Sequence, residues 1–316
     1  MNFNLSRWIL FILLICLSLH GVSAQISQAP VPTWLRTITK QPIVPNLEDI
    51  SEGYYYELID YQVNVSEKSR FYKSTKVLFD SNGAENAGQL YVQYDPKYQR
   101  LILHELKIVR DRQELNRLNP QAFQTLAVET DLSRSIYNGM HSAYYVLEDL
   151  RQGDKIVFSY SVEGFNPVFE DKFFDSYYLQ GYEPVGLLHL HYVIPQNRKI
   201  TFKSHKGASE VQAVRVGSHT SYFWEETHAE RVIYDDYSPF WFTKLRWIEC
   251  SEFSSWNEVA DWNNRINPVQ QIKPGSALHA FVEKIWQEAE GDPYRFLASA
   301  TDFVQNEIRY MGIEVG

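Results

Sequence analysis

The chain is short of the residues that staple a small protein or hold a charged partner. It has two cysteines in 316 residues. Cys16 lies in an apolar N-terminal run, so removal of that run leaves Cys250 alone and no internal disulfide. Lys and Arg number 30 against 39 Asp and Glu, a net charge of −9. No basic stripe stands out to neutralise phosphates, so nucleic acid is not expected as a partner. HExxH, CxxC and EF-hand patterns are absent, as are a nucleotide-binding glycine pattern and a serine-nucleophile elbow. There is no internal repeat, and no strand–helix rhythm of the kind a Rossmann fold or barrel needs.

The apolar run, Trp8 to Leu19, is about a dozen residues, short for a membrane span. With Arg7 before it and Val22-Ser23-Ala24 after it, residues 1–24 read as a signal peptide, and Gln25 as the mature N-terminus. Ile15 before Cys16 is not the small residue a lipoprotein site wants. The expected location is therefore periplasmic or cell-envelope associated, with no stable membrane span after cleavage.

What the chain has in quantity is aromatic residues: 21 Tyr, 18 Phe and 8 Trp. These favour strands. The length suits roughly two domains at about 150 residues each. Residues 25–50 carry Pro30, Pro32, Pro42 and Pro45 and read as an extended leader without a regular ladder. Trp34 and Leu35 either dock on the next domain or belong to a loose linker.

Residues 51–250 read as an all-β unit. Over 54–65, Leu58, Asp60, Gln62 and Asn64 alternate with Ile59, Tyr61, Val63 and Val65, as a half-buried strand requires. Further strands are expected at 71–79, 90–94, 101–109, 143–147, 156–162, 187–194, 199–204, 211–216 and 221–226. Turn signals separate many of them, among them Ser81-Asn82-Gly83, Asp95-Pro96 and Gln152-Gly153-Asp154. Short strands at this spacing predict an Ig-like, mainly antiparallel β-sandwich.

Residues 251–316 turn helical. Ser255 and Glu258 fit a capping box, followed by Val259, Trp262 and Ile266 on one face. A second helix is expected over 276–290, with Leu278, Phe281, Val282 and Ile285 inward. A third starts at Asp292-Pro293, with Leu297, Ala300, Val304, Ile308 and Met311 on one face and Gly312 as C-cap.

Two resemblances rest on particular stretches. The segment "FVQNEIRYMGIEVG" (303–316) resembles the helix and turn ahead of the active-site helix in bacterial transglutaminase-like proteins. The series "QLYVQYDP" (89–96), "LEDLRQGDKIVFSYSVEG" (147–164), "FFDSYYLQGYEPV" (173–185), "LHLHYVIP" (188–195) and "FWEETHAERVIYDDYSPFWF" (223–242), leading to "FSSWNEVADWNN" (253–264), is similar to the exported domain of unknown function that precedes such a core. The resemblance implies a papain-like α+β core with a Cys-His-Asp triad, acting through a thioester with an amide. No Gly-Asp-Cys-type sequence occurs here, so it also implies that the chain stops before its chemistry begins.

No catalytic, cofactor-binding or metal-ligating residue is assigned from the sequence. Cys250 precedes the capping box and is followed by only one histidine, His279, which suits a buried small hydrophobe better than a nucleophile. His189 and His191 share one face of a strand. They are either zinc ligands, with His205, His219 or His228 as partners, or surface or aromatic-packed histidines on an outer strand. The acid pairs Glu225-Glu226, Asp235-Asp236 and Glu170-Asp171 point to opposite faces and read as solvated edges. The aromatic segments 169–182 and 234–247 either stack on a peptide or glycan or pack the sandwich onto the helices. The two expected functions are the inactive N-terminal portion of an exported transglutaminase-like protein, and a cell-envelope module binding a peptide, glycan or protein.

Overall fold

A computed structural model describes residues 26–128, 136–233, 237–239, 241–308 and 312–313. The proposed signal segment, Asp235-Asp236, Tyr234, Phe240, Met311 and residues 314–316 lie outside them. The elements in order are β1 (Ile26–Gln28), β2 (Tyr54–Asn64), β3 (Ser69–Leu78), α1 (Ser81–Ala87), β4 (Gln89–Tyr94), β5 (Arg100–Arg110), β6 (Gln113–Asn116), β7 (Gln124–Ala127), β8 (Ile136–Tyr137), β9 (His141–Val146) and β10 (Lys155–Glu163). They continue with β11 (Phe174–Tyr178), β12 (Val185–Pro195), β13 (Thr201–His205), β14 (Gln212–Val216), β15 (His219–Ala229), β16 (Trp247–Ser251), α2 (Trp256–Ile266), α3 (Ala277–Glu288), α4 (Pro293–Glu307) and β17 (Gly312–Ile313).

The sandwich is asymmetric. One layer is a nine-stranded sheet in the order β1-β5-β10-β3-β2-β12-β15-β14, with β6 also on β5. The other layer is two separate three-stranded sheets, β4-β9-β7 and β11-β16-β13. Pairing is mainly antiparallel, as expected; β1–β5, β2–β12 and the two-residue β8–β17 pair are parallel.

Strand register explains why both small sheets settle on one face. Leu103, Tyr160, Tyr72, Tyr61, Leu190 and Trp224 are cross-strand partners in a single row over six strands. Paired residues project to the same side, so this row defines an apolar and aromatic front face. One end of it joins the core under β4 and β9, with Leu101, Leu106, Ile108, Ile156 and Phe158. The other end joins the core under β11, β13 and β16, with Val63, Leu188, Tyr192, Trp224, Ile248 and Cys250. Each fully buried Leu, Ile, Val or Phe contributes about 1.5–3 kcal/mol.

The neighbouring row, Ile102, Ser161, Phe71, Gln62, His191 and Phe223, faces the back. It mixes polar Ser161, Gln62 and His191 with apolar Ile102, Phe71 and Phe223, and the proline-containing leader runs over it. Arg36 exchanges backbone hydrogen bonds with the Gln62 amide (2.8 and 3.1 Å) and stacks its guanidinium 3.6 Å from the Phe223 ring centroid. The Thr39 amide and hydroxyl both donate to Glu225, and Ile43 N–H donates to Gly186 O. Contrary to the expectation of no ladder, the leader opens with β1 paired to Leu101–Leu103, and Ala29 N–H donates to Leu103 O. Prolines remove donors at their own positions only, so Ile26–Gln28 ahead of Pro30 remain free to pair.

Local structure departs from expectation in three further places. Ser81-Asn82-Gly83 opens α1 instead of closing a turn, because Asp80 caps it, accepting from Asn82 and Gly83 N–H. Glu258 reaches back to Ser254 N–H, one residue earlier than a capping box requires, while Ser255 caps α2 as expected. Gly312 lies in β17 and is not a C-cap, since α4 ends at Glu307.

The back face also holds a neutral hydrogen-bond chain. His191 Nδ1 donates to Gln62 Oε1 (2.8 Å) while its Nε2 accepts from the Ser221 hydroxyl (2.7 Å). One neutral tautomer satisfies both contacts. Burial, then His189 and Arg36, holds the His191 pKa down to about 3.

Two outcomes are expected from this face. A Cβ at Gly186 would lie 2.5 Å from Ile43 O and 3.0 Å from Glu57 O. Gly186→Ala is therefore expected to cost about 1–3 kcal/mol in urea unfolding, through a displaced leader. For His191, the unfolded chain takes up a proton near pH 6.5 that the native state refuses until about 3. The stability it contributes is complete above pH 6.5 and is lost as pH falls through that window, by up to about 1.4 kcal/mol per pH unit. His191→Gln should flatten the pH dependence of stability between pH 5 and 6.5; an unchanged slope would show that His191 is not its source.

Candidate binding cleft

The split second layer leaves a cleft along the front face. Its floor is the middle of the front row. Its walls are β4 on one side and β11 on the other, and both strands line both of its cavities, of about 500 and 540 Å³. This is the size range of small-ligand sites. Towards one end stand Tyr61, Arg70, Tyr72, Tyr160 and Phe165; towards the other stand Tyr54, Tyr56, Tyr91 and Tyr182, with Tyr177 common to both.

The phenols are fixed by stacking and by one carboxylate. Tyr61 stacks on Tyr177 with centroids 4.5 Å apart, and Tyr72 lies 5.4 Å from Tyr160. Tyr61 and Tyr192 hydroxyls donate to Asp175 Oδ2 at 2.9 and 3.2 Å. Burial pushes the phenols of Tyr61, Tyr72, Tyr160 and Tyr177 well above the usual range, so all four stay neutral. Burial also raises Asp175, against the opposing field of Arg70, which sits 4.4 Å over the Phe165 ring. The cleft is thus a mainly neutral, hydroxyl-bearing aromatic surface, with the Arg70 cation set against Asp175, suited to stacking and hydrogen bonding.

The cysteine and histidines singled out in the sequence do not converge on it. Cys250 is buried on β16 in the core, and burial followed by the Asp175 charge pushes its thiol far up, away from a reactive thiolate. His189 and His191 do share a face, with rings 6.1 Å apart, but β12 is an interior strand and both are buried beneath the leader, contrary to the outer-strand expectation. His189 Nδ1 meets Asp60 at 2.7 Å, while its Nε2 is buried with no partner among the described residues. His205 stacks on Trp247 at 4.1 Å, His219 contacts Ser66 and Ser218, and His228 is exposed. Among the described residues no three metal-ligating side chains come together.

Glu225 and Glu226 do point apart, one to the leader and the other to an ion pair with Arg246. Glu170 pairs with Arg265 and Asp171 with Lys68. The aromatic segment 169–182 divides between the two roles considered for it. Phe169 stacks on Trp262, whose indole N–H donates to Val168 O, so it packs α2 onto the sandwich. Tyr177 lines the cleft, and Phe174, Tyr178 and Tyr182 are exposed. In the second segment Tyr237 and Trp241 are exposed as well.

Residues 65–232, more than half of the chain, match DUF3857, described as a domain of unknown function with a solved structure. No curated protein matches. The chain is similar to a crystal structure of "a putative protease" from Parabacteroides distasonis ATCC 8503, with a TM-score of 0.64 and 14% identity over 80% of this chain and 50% of that one. At that identity the likeness concerns the fold, and this chain spans half the length of that protein. It is also similar to a two-domain M1 zinc metallopeptidase mutant bound to L-arginine, at 10% identity over 64% of this chain and 44% of that one. Its TM-score of 0.31 is too low to argue from. The matched span runs from the end of β2 to just past β15 and holds most of the cleft, and by it the chain belongs to the DUF3857 family of domains of unknown function.

Proposed function

We propose that this chain is the non-catalytic N-terminal portion of an exported transglutaminase-like protein. The thiol chemistry, a thioester formed with an amide and resolved by water or an amine, would reside beyond Gly316. The observation that carries this reading is the outer face of the α3–α4 hairpin, which no other element covers among the described residues. Its inner contacts are made by Phe281 on Phe303 (4.3 Å) and Trp286 on Phe296 (5.4 Å). The expected inward face of α4 points out instead: Leu297 is 63% and Val304 56% exposed, and Leu278 of α3 is 56% exposed. Large apolar side chains aligned on one helix face ordinarily meet a partner. The central sheet of a papain-like core is the surface that the resemblance of residues 303–316 implies. The chain's likeness to a longer protein described as a protease fits the same reading.

A second role has its own support. The tyrosine cleft lies wholly in the sandwich and suits binding of a peptide, glycan or protein partner in the envelope.

Leu297→Gln and Val304→Gln should each change the stability of this chain by about 0.5 kcal/mol or less. In the longer protein the same changes should cost about 2–4 kcal/mol. Peptide mapping of the endogenous protein should extend past Gly316 into a Gly-Asp-Cys-type sequence with a later His and Asp. A native protein that stops at Gly316 would rule this chemistry out.

A further inference from the structure

The walls of the cleft are unpaired strand edges. In an antiparallel pair, backbone groups of alternate residues face the partner strand and those between face away. Leu147 N–H donates to Gly88 O at 2.9 Å, just before β4 pairs with β9. The alternation then turns Leu90, Val92 and Tyr94 towards β9, and Tyr91 and Gln93 towards the cleft. On the opposite wall Glu252 N–H donates to Phe173 O (3.0 Å) and Leu179 N–H to Arg246 O (2.9 Å). Asp175 and Tyr177 therefore face β16, and Phe174 and Tyr178 face the cleft. Ser176 also faces it, with its amide leaning on the Asp175 carboxylate. Both β4 and β11 end their sheets, so neither has a strand on the cleft side among the described residues.

We propose that the cleft binds an extended, uncharged polypeptide segment as an added strand between β4 and β11. This deepens the binding role of the sandwich and does not depend on thiol chemistry in a longer protein. Three features select this occupant. Exposed N–H and C=O groups at strand spacing on a wall are matched by another peptide backbone and by little else. Both walls reach from the Tyr54–Tyr56 end of the floor to the Tyr61–Tyr160 end, so a chain laid along either edge spans both cavities. Finally, the charges at the cleft already have partners. Lys172 pairs with Glu258, Glu183 accepts from Ser51 and from Glu52 N–H, and Arg70 faces Asp175, which Tyr61 and Tyr192 also hold. A charged side chain entering there would lose water without gaining a counter-ion.

The test uses the full chain and a library of N-acetylated, C-amidated octapeptides randomised over uncharged residues. Enriched peptides are measured by fluorescence polarisation with and without N-methylation of alternate amides. Proline is tolerated on an edge strand where its missing N–H faces outward, so Gln93→Pro removes a cleft donor while keeping the ladder to β9. Gln93→Ala, which keeps the amide, is the control. The expected result is enrichment, with affinity lowered at least about tenfold by N-methylation and by Gln93→Pro, and little changed by Gln93→Ala. Should Gln93→Pro fail to fold, the N-methylated peptides still decide the matter on the native protein. No enrichment, or peptides indifferent to both changes, would overturn the proposal. Binding of chitohexaose with NMR shifts at Tyr61 and Tyr177, and of no peptide, would keep the binding role but remove strand addition.

Discussion

The registered pairing of six strands, β5-β10-β3-β2-β12-β15, is the constraint on which the rest of this protein depends. Because side chains alternate across a strand, this register sorts the sheet into two unlike faces. Leu103, Tyr160, Tyr72, Tyr61, Leu190 and Trp224 fall on one, and Ser161, Gln62 and His191 on the other. A one-residue slip of β2 or β12 would send Gln62 or His191 into the apolar layer. The front row is aliphatic or indole at its ends, where the small sheets sit, and tyrosine in the middle, where those two sheets part. The cleft thus results from where the chain places phenols in an otherwise apolar row.

Around Gln62 the polar groups of the back face satisfy one another, and the leader closes the chain of contacts. Gln62 is the centre: its carbonyl accepts from Arg36 N–H and His191, and its amide donates to Arg36 O and Asp60. A buried polar group without partners costs roughly 1–3 kcal/mol, so a sheet face of this kind requires the strap. The leader is then part of the fold, and its prolines suit it to lie extended over the strands without competing for their ladder.

Much of this was legible in the sequence wherever a single strand carried its own period. The alternation over 54–65 gave β2, and the spacing of His189 and His191 put both on one face. Other features depend on partners distant in sequence. The burial of those histidines comes from β12 pairing with β2 on one side and β15 on the other. The strands β11 and β16 are short, and their aromatic runs read equally well as loops. In α4 the apolar spacing was read correctly as a helix, but Phe296 and Phe303 took the inward side, and the Leu297–Val304 face was left outside. The cleft was the least accessible feature, since its floor and walls come from five strands and its defining property is a missing strand between β4 and β11.

Residue-resolved amide hydrogen exchange, measured by NMR on the unliganded chain, tests the split layer most directly. Open edges predict alternation within single strands: Leu90, Val92 and Tyr177 protected, and Tyr91, Gln93, Phe174 and Tyr178 exchanging rapidly between them. Uniform protection along β4 and β11 would mean that their outer edges are already paired, and the cleft as described would not exist.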